Sequence, residues 1–259
     1  MNTLRWPAAL LWDVDGTLAE TERDGHRVAF NEAFAAMRLP WHWDVAHYGA
    51  LLAVTGGRER LLHDMQSRPE APAQPEARDA LARMLHALKN SAYAQRVADG
   101  ALVLRPGVLN LLRAARQAGL PMGIATTTSQ ANVAALLGAA LGADWRAGFA
   151  VCVCGEDVQA KKPDPEVYLR AVQALGCALG AALAIEDSPA GVQAACQAGV
   201  PVIVTRSVYF ADADVRGALA VGPGLHIRAG WEPAPPGTGT GLDAGIGLED
   251  LAHWMAATR

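Results

Sequence analysis

The chain has 259 residues, of which 51% are hydrophobic, and it carries a formal net charge of −4. This length fits one large domain or two unequal ones with a sizeable core. The acidic balance argues against a nucleic-acid partner, which would need a basic surface, and no apolar run reaches the ~18 residues of a membrane span. The four cysteines lack the spacing of a zinc site and predict free thiols in a reducing compartment. We therefore expect a cytoplasmic protein with no membrane or nucleic-acid partner, and we expect a monomer.

Short apolar runs along the chain are typical of buried parallel strands. Helix patterns with recognisable ends separate the later runs, such as Glu166–Leu175, which follows Asp164-Pro165 and stops at Gly176. Strands that alternate with helices predict an α/β fold with a doubly wound parallel sheet. The five predicted strands are Ala8–Trp12, Met122–Ala125, Phe149–Cys154, Leu183–Ile185 and Val200–Val204.

The first two strands are separated by far more chain than a crossover needs. This interval contains three helical patterns, Glu20–Met37, Gly57–Gln66 and Glu76–Ala94. We predict an all-helical cap domain at residues 20–97, inserted into an α/β core of residues 1–19 and 98–259, where it would act as a lid. Near the end of the chain, the Pro/Gly-rich segment Trp231–Gly247 predicts a mobile surface loop before a short helix at Leu248–Ala257.

Two aspartates follow the first strand. Asp13 and Asp15 are one residue apart and would share a side of the chain, where like charges repel. A polar turn that ends at Gly16 would explain them without any function. The alternative is that a cation lies between the carboxylates or that one of them is protonated.

Polar residues also follow the other strands, where ligands bind in a doubly wound sheet. Carboxylates, hydroxyls and a lysine meeting at one edge would supply a nucleophile, oxygen ligands for a hard cation, and donors for phosphate oxygens. The sequence therefore predicts phosphoryl-transfer chemistry. The residues concerned are Asp13, Asp15, Thr126, Thr127, Thr128, Lys162, Glu186 and Asp187.

Four of these segments resemble the motifs of the haloacid dehalogenase superfamily, in the same order. They are "DVDGT", the hydroxyl after the second strand, "KKPDPEVY" and "EDSPAG". Shorter stretches, "ETERDGHRVAFNEAF", "TGGRERL" and "ATTTSQANV", resemble the CbbY-type sugar-phosphate phosphatases that are encoded with Calvin-cycle enzymes. The resemblance implies the Rossmann-like core of the superfamily with an inserted helical cap. It also implies a phosphorylated sugar as substrate, specifically a bisphosphate such as xylulose 1,5-bisphosphate, which members of this family dephosphorylate.

The resemblance assigns roles to the residues of the sheet edge. Asp13 would attack phosphorus and form an aspartyl phosphate, and Asp15 would be the general acid and base, with a pKa raised by Asp13. Thr126 and Lys162 would contact the transferring phosphate. Mg²⁺ would bind a carboxylate oxygen of Asp13, the backbone carbonyl of Asp15 and Asp187, with Glu186 as a further candidate ligand or as a carboxylate behind the ligands.

The cap is expected to determine specificity. Glu20 and His26 lie near the first hinge, where a carboxylate could bind sugar hydroxyls. Arg58 follows two glycines that would let the backbone approach an anion, so it could hold a second phosphate. The other candidate substrate-binding residues are Gly56, Gly57, Arg60, Lys89, Thr127 and Thr128. For the cap cations, a solvated position on a helix surface is the competing interpretation.

Two other functions fit parts of this pattern. A sugar-phosphate mutase of the β-phosphoglucomutase type shares the four motifs and the cap, and it differs only in whether the aspartyl phosphate meets water or a second sugar. A non-catalytic binding module on the same fold would not need the complete set of Asp13, Asp15, Lys162 and Asp187.

Overall fold

A six-stranded parallel sheet forms the centre of the computed structural model, which describes residues 4–236 and 245–257. The strands lie in the order β3-β2-β1-β4-β5-β6, so the chain winds outward in both directions from β1. This confirms the predicted doubly wound parallel sheet. The strands are β1 (Ala9–Trp12), β2 (Met122–Ala125), β3 (Val151–Val153), β4 (Ala182–Glu186), β5 (Val202–Thr205) and β6 (Ala220–Gly222).

The register of the sheet aligns the ends of the central strands. Trp12, the last residue of β1, pairs with Ile124 on β2 and with Ile185 on β4. The residues that follow these strands therefore reach the same edge of the sheet. Nothing in the sequence pattern predicted the sixth strand, Ala220–Gly222, because it is three residues long and contains a single branched side chain.

Helices cover both faces of the sheet. Side chains of α5, α6 and α9 pack with Leu10 and Trp12 on one face, and those of α7 and α8 pack with Leu11 on the other. The alternation of β1 side chains between two apolar layers explains why the whole strand is apolar and buried. The helices are α1 (Arg27–Ala36), α2 (Val45–Leu51), α3 (Gly57–Asp64), α4 (Pro75–Ala98), α5 (Val108–Gln117), α6 (Gln130–Leu141), α7 (Glu166–Leu175), α8 (Pro189–Gln197) and α9 (Leu248–Ala256).

The chain between β1 and α5 forms the inserted helical cap. Helices α1 to α4 enclose their own aromatic cluster, which includes Phe30, Phe34, Trp43 and Tyr48. Tyr209 and Phe210, in the loop that follows β5, pack against this cluster, and the rings of Tyr48 and Tyr209 lie 5.9 Å apart. The last cap helix ends at Ala98, while the domain boundaries at residues 20 and 97 stay predictions.

Two segments differ from the expectations. The predicted helix Glu20–Met37 begins instead with a π-helical turn, Glu22–His26, which leads directly into α1. The predicted surface loop Trp231–Gly247 is anchored where it is described, because Trp231 is 3% exposed and stacks on Trp254. The rest of that prediction concerns residues 237–244, which lie outside the described residues.

Within the described ranges, every helix is too short or too polar to cross a membrane.

Candidate active site

Lys162 and Asp13 form a buried ion pair at the edge of the sheet. The Lys162 ammonium donates hydrogen bonds to Asp13 Oδ1 at 2.7 Å, to Glu186 Oε1 at 2.6 Å and to the carbonyl of Ala125 at 2.9 Å. Burial alone would lower the pKa of Lys162, but the charges of Asp13 and Glu186 raise it above its ordinary value. Lys162 is thus a fixed cation whose three donors all point at the ends of strands β1, β2 and β4.

Three carboxylates meet at this point. One oxygen from each of Asp13, Glu186 and Asp187 lies within 4.8 Å of the others. Burial and the charge of Glu186 raise the pKa of Asp13 to about 7, although Lys162 acts in the opposite direction. Burial, with the charges of Asp13 and Glu186, also raises the pKa of Asp187 well above its usual range. A single lysine does not neutralise this cluster, so its charge and its all-oxygen donor set fit a hard divalent cation such as Mg²⁺.

Gly16 makes room for the cluster. Its φ of +84° places it in the left-handed region, and a Cβ at this position would lie 2.0 Å from Asp187 Oδ2. The turn after β1 therefore needs glycine for its backbone conformation and for the approach of the Asp187 carboxylate.

Glu186 has its hydrogen-bonding capacity filled by the protein. It is fully buried, and it accepts bonds from Lys162, from the Tyr168 hydroxyl at 2.6 Å, from Ser188 Oγ at 3.3 Å and from the amide of Asp187 at 3.2 Å. Of the two interpretations of this residue, these bonds favour a carboxylate that holds Lys162 in place behind the ligands.

The hydrogen-bond partners and the pKa of Asp15 differ from the expectation. Its Oδ1 atom accepts a bond of 2.5 Å from the Thr21 hydroxyl and lies 2.9 Å from His26 Nε2. Burial would raise the pKa of Asp15, but the charge and hydrogen bond of His26, together with Thr21, hold it well below its usual range. The predicted elevation of the Asp15 pKa is therefore wrong, because its partner is a cap histidine, and the raised pKa belongs to Asp13.

The threonine run forms the loop between β2 and α6. The Thr126 amide donates to the carbonyl of Val153 at 3.0 Å, and the Thr126 hydroxyl accepts from the Thr128 amide at 3.3 Å. Ser129 caps α6 by accepting from the amide of Asn132. Thr126, Thr127 and Thr128 line one wall of the cavity beside Asp13.

A cavity of about 930 Å³ lies between this sheet edge and the cap. Its core wall includes Asp13, Asp15, Lys162 and Asp187. The predicted cap residues His26, Gly56, Gly57, Arg58, Arg60 and Lys89 also line it. Glu20 is placed differently, since its carboxylate lies 3.5 Å from Arg105 Nε and accepts a long bond from the amide of Val208.

The cap cations have different degrees of charge compensation. Arg58 pairs with Asp79, which also binds Arg83. Arg60 is buried, donates to the Tyr48 hydroxyl at 2.7 Å and lies 3.6 Å from Glu22.

Lys89 is the least compensated of these cations. It is 3% exposed, it lies against the rings of Phe30 and Tyr93, and it donates a long bond of 3.4 Å to Asn90. Among the described residues, no carboxylate lies at ion-pair distance from its ammonium. Burial lowers the pKa of Lys89 to about 8, while the more distant Asp15 and Glu22 act in the opposite direction. Lys89 is therefore the cap cation best able to accept an anion.

The family model of the haloacid dehalogenase-like hydrolases matches residues 7–199. The chain belongs to the haloacid dehalogenase-like hydrolases. This hydrolase is 47% identical to the plasmid-encoded protein CbbY of Cupriavidus necator. The match covers 96% of this hydrolase and 97% of the relative. Phosphoglycolate phosphatase from Escherichia coli is 30% identical, over 78% and 82% of the two chains.

Solved structures give the same assignment. CbbY from Rhodobacter sphaeroides, in complex with phosphate, matches with a TM-score of 0.76 and 39% identity, over 82% of this chain and 92% of that one. A variant of the same protein in complex with xylulose-(1,5)bisphosphate matches with the same TM-score and coverage at 38% identity. This hydrolase is CbbY-like, and its relatives indicate a phosphatase.

The cavity residues that sequence reasoning missed include three polar side chains of the cap. Glu22, His86 and Asn90 line the cavity together with Lys89. Burial, with the charge of Lys89, lowers the pKa of His86 to about 4, and Asn90 accepts a bond of 3.2 Å from Asn132 on α6. A signal was available on α4, where His86, Lys89 and Asn90 follow helical spacing and form a polar stripe in an amphipathic helix.

Proposed function

We propose that this protein is a Mg²⁺-dependent phosphatase that hydrolyses a small sugar bisphosphate, such as xylulose 1,5-bisphosphate, through an aspartyl-phosphate intermediate. The observation that carries this proposal is the presence of charged groups at two opposite walls of the cavity. The carboxylate cluster with Lys162 lies at the sheet edge, and the buried, uncompensated Lys89 lies on the cap. With Mg²⁺ bound at the cluster, a substrate with a phosphate at each end would place one phosphate beside the metal and Lys162 and the other beside Lys89.

Asp13 is the proposed nucleophile. Its carboxylate is fixed at the end of β1 by the bond from Lys162, and one oxygen is left for attack on phosphorus. Attack forms the Asp13–phosphate bond and breaks the bond between phosphorus and the sugar oxygen. Lys162 and the Thr126 loop would bind the equatorial phosphate oxygens as negative charge moves onto them.

Asp15 is the proposed general acid and base. A phosphate bound next to Asp15 adds negative charge, and negative charge raises the pKa of a carboxyl group. The protonated form that the leaving sugar oxygen needs is thus favoured with substrate in place. After the sugar leaves, the ionised carboxylate would accept a proton from the water that attacks the aspartyl phosphate. His26 and Thr21 orient Asp15 for both steps.

The metal would be held by the carboxylates of Asp13 and Asp187 and by the backbone carbonyl of Asp15, with Glu186 behind them. When bound, Mg²⁺ supplies positive charge that offsets the carboxylates and the phosphate oxygens. The raised pKa values of Asp13 and Asp187 support this proposal, because burial and the neighbouring carboxylates both disfavour the ionised forms, and a bound cation would offset this.

The distal phosphate is assigned to Lys89, with Arg58 as a further candidate. Arg58 is already paired with Asp79, whereas the Lys89 ammonium has no charged partner among the described residues. The complex of the R. sphaeroides relative with xylulose-(1,5)bisphosphate supports a substrate of this class.

A screen of sugar mono- and bisphosphates tests the proposal. We expect release of inorganic phosphate that requires Mg²⁺, stops with chelator, resumes when Mg²⁺ is added back, and is fastest for a bisphosphate. Analysis of the sugar product separates this function from the mutase alternative, since a mutase would form an isomeric sugar phosphate without releasing phosphate. Full activity in chelator, or isomer formation alone, would contradict the proposal.

A further inference from the structure

One guanidinium joins three separate segments of the backbone. Arg105 follows the cap at the start of the second part of the core, and its side chain is 10% exposed. It donates to the carbonyls of Gly16, Thr205, Arg206 and Pro223, and to the Thr205 hydroxyl at 3.1 Å. Its backbone amide also donates to the carbonyl of Leu18 at 2.8 Å.

Two of these acceptors belong to segments that enclose Asp187. The turn at Gly16 lies so close that a Cβ there would meet Asp187 Oδ2 at 2.0 Å. On the other side, the loop after β5 continues from Thr205 and Arg206 to Ser207, whose side chain acts to lower the raised pKa of Asp187. Arg105 therefore fixes the distance between the two segments that set the position of this carboxylate.

The geometry points to Arg105 as a positioning residue for the cation site, which holds Asp187 and the Asp15–Gly16 backbone at the separation that the metal requires. This inference rests on the Mg²⁺ dependence proposed above. Arginine suits the position because its planar fork carries five N–H donors, enough for the four carbonyls and the Thr205 hydroxyl, whereas a lysine ammonium has three. Loss of a residue that orients metal ligands typically weakens metal affinity by about 10- to 100-fold.

Direct metal binding to the purified Arg105→Lys protein tests the inference. We expect the dissociation constant for Mn²⁺, measured by electron paramagnetic resonance, and for Mg²⁺, measured by calorimetry, to rise about 10- to 100-fold relative to wild type. At saturating Mg²⁺, we expect kcat to recover to within several-fold of wild type.

Arg228→Lys is the matched control. Arg228 also joins a carbonyl and a carboxylate, those of Gly245 and Asp250, but it does so beside α9 and outside the cavity lining. This variant should lose thermal stability and keep wild-type metal affinity. An Arg105→Lys protein with lowered Tm and wild-type metal affinity would overturn the inference, because Arg105 would then be structural only.

A second variant covers the case in which Arg105→Lys does not fold. Ser207→Ala removes the hydroxyl of the same loop that acts to lower the pKa of Asp187, and we expect a several-fold higher Mn²⁺ dissociation constant. Unchanged affinity in this variant would overturn the inference. Failure of the proposed metal dependence is distinguishable, since the wild-type protein would then bind neither metal, and the inference would fall with it. A wild-type protein that binds the metal but forms only an isomeric sugar phosphate would contradict the proposed function and leave the inference standing.

Discussion

His26 of the cap and Asp15 of the sheet edge are hydrogen-bonded to each other, with 2.9 Å between Nε2 and Oδ1. The His26 ring also stacks on Tyr93 of α4, at 4.3 Å between ring centroids. The proposed general acid of the core is therefore oriented by a side chain of the cap, so that its protonation depends on cap position.

Replacing His26 tests this dependence. In His26→Phe, the ring can still stack on Tyr93, but the charge and hydrogen bond to Asp15 are lost. A charge-assisted bond contributes about 1.5–3 kcal/mol, which corresponds to a rise of roughly one to two units in the pKa of Asp15. We expect the limb of the kcat–pH profile that reports the ionisation of Asp15 to move to higher pH by that amount, with kcat roughly 10-fold lower or more. An unchanged profile would contradict the orienting role.

Asp13→Asn is expected to abolish turnover without unfolding the protein. The amide cannot attack phosphorus, whereas Lys162 keeps its bond to Glu186 and its bond to the carbonyl of Ala125. Phosphate release and Tm should be measured on the same sample. More than a trace of turnover at wild-type Tm would show that Asp13 is not the nucleophile.

The metal-free protein should lose stability as pH rises from about 4 to about 7. The pKa of Asp13 is raised from 3.8 to about 7, so the folded state binds more protons than the unfolded chain in this window. The stabilising protonated form is fully present below pH 4 and is lost as pH passes through 7. Thermal unfolding in chelator at several pH values measures the trend, and added Mg²⁺ should reduce it at pH 7 and above. A Tm that is independent of pH and of Mg²⁺ would count against the charge imbalance of the cluster.

Lys89→Met should discriminate between substrates. Methionine keeps most of the volume of the stem between Phe30 and Tyr93 but removes the charge. Loss of a fully made contact to phosphate costs about 1.5–3 kcal/mol, or roughly 10- to 150-fold in kcat/KM for a sugar bisphosphate. Hydrolysis of p-nitrophenyl phosphate, which has no distal charge, should change little.

Arg58→Ala is the comparison for that experiment. Because Arg58 is paired with Asp79, we expect a smaller loss with the bisphosphate than in Lys89→Met. Equal losses with both substrates in Lys89→Met would instead indicate an effect on Asp15 or on cap closure.

The sheet edge was predictable because parallel strands bring their carboxyl ends together. Asp13, Lys162 and Asp187 are far apart in sequence, yet each follows a recognisable apolar run, and the topology rule is enough to place them near one another. The roles assigned to them stay predictions.

The contacts between cap and core were not predictable in the same way. No periodic pattern relates His26 to Asp15, and the extra residue of the π-helical turn Glu22–His26 shifts the helix face on which His26 would be expected. The prediction of a raised pKa for Asp15 was wrong for this reason, since that pKa depends on His26, a partner that the cap supplies. Glu20 was expected to face substrate, but Arg105, whose side-chain hydrogen bonds reach three chain segments, lies beside it.

Because Tyr209 and Phe210 pack against the aromatic cluster of the cap, opening and closing of the cap should change the heat capacity of the protein. Any cap movement that separates these rings from Tyr48 would expose apolar surface to water, and covering it again would lower the heat capacity of the protein. Calorimetric titration with a substrate analogue at several temperatures should then give a binding enthalpy that becomes more negative on warming. The same burial would make the closed form weaker in the cold, so access to the cavity would depend on temperature as well as on substrate.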